Sequence, residues 1–254
     1  MVAPAGSEFG SSVALTNDGS YLAVGAPMSD KLEDKQVGFI GIYRVQIFSP
    51  DRIAPRPEET MKPTEMPTKL KTSPEIISRL SYRGIQNIFG QQPSARAGTS
   101  ISYSGDGSIL AIGAPNASGR TVTTGAVYIY KYGQDGYSQL GNSIEGSNTG
   151  DEFGWSVSLA SDGSRVAIGA RSSSNIKSKN GCVKIFTYDK DKDTWEQLGS
   201  DLNGLEDEER SGWSIALSGN GNHVAIGGPQ GDINSDENRL GSVTVFEYSD
   251  LERN

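Results

Sequence analysis

Residues 153–171 read FGWSVSLASDGSRVAIGAR. Trp155, Val157 and Leu159 alternate with Ser156 and Ser158, the period of a strand with one covered face. Asp162-Gly163 then supplies a turn pair that tolerates positive φ, and Val166-Ala167-Ile168 opens a second strand. The frame returns as FGSSVALTNDGSYLAVGAP at 9–27, AGTSISYSGDGSILAIGAP at 97–115 and SGWSIALSGNGNHVAIGGP at 211–229. In every copy nine residues lead from the first glycine (Gly10, Gly98, Gly154, Gly212) to the turn glycine (Gly19, Gly107, Gly163, Gly221). Six more reach Gly25, Gly113, Gly169 and Gly227.

Each copy continues into a third strand: GFIGIY at 38–43, GAVYIY at 125–130, GCVKIF at 181–186 and GSVTVF at 241–246. A fourth strand carries Tyr137 or Trp195 ahead of Gln-Leu-Gly. The period is 56 or 58 residues, with one step of 88 between Gly10 and Gly98. Four antiparallel strands in such a period make a propeller blade. A stacked solenoid, the runner-up, uses shorter and parallel repeats. The expectation is one all-β domain over 1–254, a β-propeller of four four-stranded blades starting near 9, 97, 153 and 211.

The long step holds an insert at 49–80 with six of the eleven prolines. Residues 44–83 carry eight Lys/Arg against five Asp/Glu in a chain whose net charge is −8. So much proline with few aromatics suits a flexible, solvated excursion; a docking peptide for an acidic partner is the alternative.

Composition excludes several classes. The single Cys182 leaves no disulfide framework and no Cys-based zinc site. The single His223 leaves little for a Ser-His-Asp triad, and its slot is filled by Tyr21, Ile109 and Arg165 in the other copies, which reads as a surface edge. An acidic chain is poorly suited to a phosphate backbone, so no nucleic-acid partner is expected. No apolar run approaches the ~18 residues of a membrane span. Asp189, Asp191 and Asp193 alternate with lysines and lack the glycine and glutamate of a calcium loop, which reads as a hairpin turn. Neither a cofactor nor a metal is expected.

Phe-Gly, then Gly-Ala-Pro, then Gly-x-Val-x-Ile-Tyr resembles the FG-GAP repeat of integrin α-subunit-like β-propellers. Phe9-Gly10 with Gly25-Ala26-Pro27 carries the whole pattern. Phe153-Gly154 matches at the front, with Arg171 in the proline slot, while Ala97-Gly98 and Ser211-Gly212 lack the Phe. The resemblance implies a non-catalytic binding or scaffold module, with adhesion-type roles and an extracellular or cell-surface setting; the N-terminus has no signal-peptide pattern. The integrin-type ring has more than four blades, so the repeats also suit part of a larger propeller, with further blades from a longer chain. The family's calcium loops are not carried over, because the first turns here, TNDG and SGDG, lack the oxygen ligands.

Binding on such scaffolds resides in loops. The connections from strand two to strand three and from one blade to the next share one face. There Asp30, Glu33, Asp34, Asp151, Glu152, Glu206, Asp207, Asp232, Asp236 and Glu237 gather. An acidic face suits a basic protein partner, and a protein or glycan ligand is the expectation for these residues. The alternatives are a propeller hydrolase with a carboxylate site in the central channel, and a fragment of a larger propeller without independent function.

Overall fold

A computed structural model describes residues 6–30, 36–47, 80–118, 123–230 and 241–248. Every element in them is a strand or turn. Blade one runs β1 (Ser12–Leu15), β2 (Tyr21–Ala26), β3 (Phe39–Ile47) and β4 (Leu80–Phe89) in that spatial order. Blade two has β5 (Ser100–Tyr103), β6 (Ile109–Ala114), β7 (Ala126–Gly133) and β8 (Gly136–Gln139), with β9 (Ile144–Glu145) also on β7. Blade three has β10 (Phe153–Leu159), β11 (Arg165–Ala170), β12 (Cys182–Asp189) and β13 (Thr194–Gln197), with β14 (Leu202–Asn203) on β12. Blade four has β15 (Ser214–Leu217), β16 (His223–Gly228) and β17 (Ser242–Glu247). All strand pairings are antiparallel, which removes the solenoid reading.

The expected fourth strand is one piece in blade one and two pieces in blades two and three. In blade four β17 has no outer partner among the described residues. The insert at 49–80 lies outside the described residues save for Leu80, the first residue of β4.

Asx turns close the first hairpins. Asp18 Oδ1 accepts from the Ser20 amide at 2.9 Å and from the Thr16 hydroxyl at 2.6 Å. Asp106 and Asp162 accept from Ser108 and Ser164 in the same way, and Asn220 from the Asn222 amide. The Thr16 and Ser20 donors hold the Asp18 carboxyl down at about 2.

Neighbouring blades share cores. Ile40 and Ile42 of blade one pack with Ile101 and Tyr103 of blade two. Val127 and Ile129 pack with Val157 and Leu159 of blade three. Val183 and Ile185 pack with Ile215 and Leu217 of blade four. The odd-numbered side chains of the third strand in blades two and three, and the even-numbered ones in blade one, thus meet the first strand of the next blade.

The recurring glycines set the blade spacing. Gly25, Gly113 and Gly169 lie directly against the backbone carbonyls of Gly98, Gly154 and Gly212 in the next blade, so that a Cβ would be driven into each oxygen. Beside each, a first-strand serine crosses the boundary: Ser12, Ser100 and Ser156 donate to those carbonyls at 2.6, 2.9 and 2.7 Å. The Phe-Gly and Gly-Ala-Pro motifs therefore meet across a blade boundary.

Candidate functional site

The strand two–three connections and the blade-to-blade connections do lie side by side. Met28 donates its amide to Ser7, Asn116 to Ala95, Ser172 to Asp151 and Gln230 to Glu209, at 3.2 to 3.4 Å. The residue after each of these acceptors (Glu8, Arg96, Glu152, Arg210) has φ between 55° and 57°. That left-handed residue turns the chain into the first strand of each blade.

The junction of blades three and four departs most from the repeat. Trp155 and Trp213 stand where Ser11 and Thr99 stand in the first two copies, and Arg171 fills the slot of Pro27, Pro115 and Pro229. The Arg171 guanidinium lies over both rings, 3.0 Å from the Trp155 centroid and 4.4 Å from that of Trp213. Glu152 grips its far side, with Nε to Oε2 at 2.7 Å and Nη2 to Oε1 at 3.2 Å. Ser172 adds a 2.6 Å hydroxyl donor. Burial works to raise the Glu152 pKa, but the Arg171 and Ser172 hydrogen bonds outweigh it and hold the carboxylate below its ordinary value. The stack ties blade three to blade four. In the sequence, the proline-to-arginine change in this one copy is the signal that points to a pairing of the two tryptophans through Arg171.

Outward from the stack, the same junction opens into a groove of about 620 Å³. Ile176, Leu202, Leu205 and Phe246 supply apolar walls, and Ile176, Leu205 and Phe246 are exposed. Asp201, Glu206 and Glu209 stand along it. Glu209 is buried and anchors the rim: its Oε2 accepts from the Leu205 and Glu206 amides at 2.7 and 3.1 Å, and its Oε1 from Ser242 at 2.9 Å.

The acidic residues expected to bind ligand separate into distinct roles. Asp30 accepts from the Gln36 amide at 2.8 Å and closes its own loop. Asp151 is buried, accepts from Asn148 at 3.1 Å, and burial pushes its pKa up. Glu152 belongs to the arginine stack. Glu206 pairs with Lys177 at 3.0 Å and Asp207 accepts from the Ser178 amide at 3.1 Å; both are exposed, and of the two Glu206 lines the groove. Glu33, Asp34, Asp232, Asp236 and Glu237 lie outside the described residues. Among the described residues no cluster of three or more His, Cys, Asp or Glu side chains is arranged to hold a metal. Asp189 caps its own turn, accepting from the Asp191 and Lys192 amides. Cys182 is buried, which pushes its thiol up to about 12, and His223 is an exposed neighbour of Glu247 at 3.5 Å.

Residues 145–186 match the family model of the FG-GAP repeat. This span includes Phe153-Gly154 and runs to Phe186 on β12, so the match to the FG-GAP repeat falls on the third blade. No curated protein matches the sequence. Among solved structures, the chain superposes on hydrazine synthase of Kuenenia stuttgartiensis with a TM-score of 0.51 at 8% identity, covering 97% of this chain and 47% of that one. It superposes on a protein of Bacteroides uniformis described as a candidate 6-phosphogluconolactonase with a TM-score of 0.51 at 12% identity, covering 94% of this chain and 50% of that one. The chain thus spans about half the length of the solved chains it matches. At such identities the likeness is one of fold, and the fold is that of β-propeller blades.

Proposed function

We propose that this FG-GAP propeller chain is a binding module that takes a basic, partly apolar protein segment into the groove between blades three and four. The observation that carries this reading is the pairing of exposed apolar walls, Ile176, Leu205 and Phe246, with the exposed carboxylate of Glu206 and the half-buried one of Asp201 along one groove. Isolated exposed apolar residues are ordinary on a surface; several gathered in a rimmed groove mark a contact surface. The carboxylates complement a cationic ligand and would steer its approach. The Trp155–Arg171–Trp213 stack holds the two blades in register, so the groove walls are pre-formed and little ordering is needed on binding.

The carboxylate-hydrolase alternative would centre on Asp151, whose raised pKa is what acid–base work requires. Its carboxylate is instead hydrogen-bonded to Asn148 within its own loop, and its backbone carbonyl receives Ser172. That arrangement favours a positioning role and the binding reading.

Fluorescence anisotropy with labelled nonapeptides tests the proposal. Peptides alternating Lys or Arg with Leu or Ile are expected to bind, and acidic counterparts of the same apolar content are not. Leu205→Asp should weaken the basic peptides about tenfold or more, and added salt should weaken them further. Equal binding of acidic and basic peptides, or indifference to Leu205→Asp, would count against the groove.

A further inference from the structure

The blade-to-blade interface recurs three times within the chain, and its two halves stand open at opposite ends of the row. In blades two and three the first-strand residues Ile101, Tyr103, Val157 and Leu159 are at most 8% exposed, because the preceding blade covers them. Their counterparts in blade one, Val13 and Leu15, are 64% and 56% exposed. On the third strands Ile40, Ile42, Val127 and Ile129 are fully buried by the following blade. Their counterparts in blade four, Val243 and Val245, are 74% and 63% exposed. The sequence keeps interface residues at both positions, although nothing among the described residues covers them.

The polar half of the interface is unmatched in the same places. Ser12, Ser100 and Ser156 each donate to a glycine carbonyl of the next blade. Ser214, the fourth serine of the series, has no such acceptor among the described residues, and the Gly10 carbonyl of blade one has no such donor. A backbone chain tells the same story: Asn17 donates its amide to Gly105, Gly105 to Ser161 and Ser161 to Gly219, at 2.8 to 3.3 Å. Among the described residues, the Gly219 amide and the Asn17 carbonyl are the two loose ends of that chain. Finally, a Cβ on Gly169 would strike the next blade, whereas a Cβ on Gly227, its counterpart in blade four, meets only Ser214 of its own blade, and one on Gly10 meets nothing. Both ends thus keep the glycines of a close approach.

We infer that a second copy of this chain docks head to tail, seating Val13 and Leu15 of one copy on Val243 and Val245 of the other. Ser214 then donates to the Gly10 carbonyl, and the Gly219 amide to the Asn17 carbonyl, across the copies. A second copy continues the interface already inside the chain: the open trailing face repeats the residue types that cover first strands there, and the open leading face is one of those first strands. Each copy offers one face of each kind, so two copies satisfy both pairs at once and close a ring of eight blades about a two-fold axis. This surface is the opposite side of β17 from the peptide groove, so the two proposals stand or fall separately.

Multi-angle light scattering on the purified 254-residue chain at micromolar concentration reads the outcome. Twice the chain mass of 27.0 kDa is expected. Leu15→Glu and Val245→Glu should each weaken self-association at least ~100-fold, since each places an unpaired charge in the interface. Both positions are more than half exposed in the single chain, so thermal melts of the variants should match the parent at concentrations where all are monomeric. The decisive arm mixes the two variants. Each retains one intact face of the opposite kind, so a one-to-one complex should form from two monomeric variants. Gly227→Ala repeats the trailing-face test without adding charge. A wild-type chain that stays monomeric at high concentration overturns the proposal and leaves the open faces to blades of a longer chain. An association untouched by the variants, or a mixture that remains monomeric, overturns it as well.

Discussion

Replacing Gly169 by alanine is expected to destabilise the protein by about 3 kcal/mol, a large share of the stability of an ordinary domain. Its backbone is in a region any residue can adopt, so the cost is steric rather than conformational. The new methyl meets the Gly212 carbonyl and the Ser156 hydroxyl together. The serine can be removed, but the carbonyl belongs to the next blade's backbone. Ser156→Ala combined with Gly169→Ala should therefore recover little. Gly227→Ala, at the same point of blade four, meets only the flexible Ser214 hydroxyl and should cost below about 1 kcal/mol in the monomer. Urea denaturation of the three variants checks the contrast. Equal effects at Gly169 and Gly227 would show that the glycines are kept for something other than blade spacing.

Phe153→Ala should cost about 3–5 kcal/mol, the range for an emptied aromatic core site. Phe153 is almost fully buried, within the cluster shared by blades two and three, and its ring meets Phe186 edge-on at 6.2 Å. Phe9 holds the same place in blade one, but no blade precedes it among the described residues and its ring is exposed. Phe9→Ala should therefore cost well under half as much when the chain is monomeric. Two phenylalanines that look interchangeable in the repeat thus separate by position in the row, and denaturant midpoints of the two variants measure the gap.

Much of the fold was legible because the repeat exposes it four times. The alternation of Trp155, Val157 and Leu159, the Asp-Gly and Asn-Gly turns and the short apolar second strands all became the elements they suggested. The break in the fourth strand was not legible, since Gln139-Leu140-Gly141 and Gln197-Leu198-Gly199 read as the end of a strand, and β9 and β14 are only two residues long. The reason for the paired glycines was equally hidden. Spacing shows that they recur, and only the three-dimensional arrangement shows that they touch across blades.

The site was less legible than the fold. Charge clustering drew attention to the side of the blades where the connections gather, yet Asp30 and Asp151 there serve their own loops and Glu152, Glu206 and Asp207 bond to neighbouring segments. A carboxylate's role depends on whether a backbone amide or a cation reaches it first, and sequence does not show that distance. The groove residues Ile176, Leu205 and Phe246 come from a loop of blade three, the connection to blade four and the last strand. No local pattern links them.

Hydrogen exchange measured at low and high protein concentration tests the account most directly, because it reads each blade separately. At low concentration the account predicts slow exchange in β6, β7, β11 and β12, which are covered on both sides. It predicts faster exchange in β1 and β17, and a rapidly exchanging Gly219 amide. At high concentration β1, β17 and Gly219 should gain protection while the inner strands stay as they were. Uniform protection of all four blades at both concentrations would contradict a row of blades with two open, matching ends.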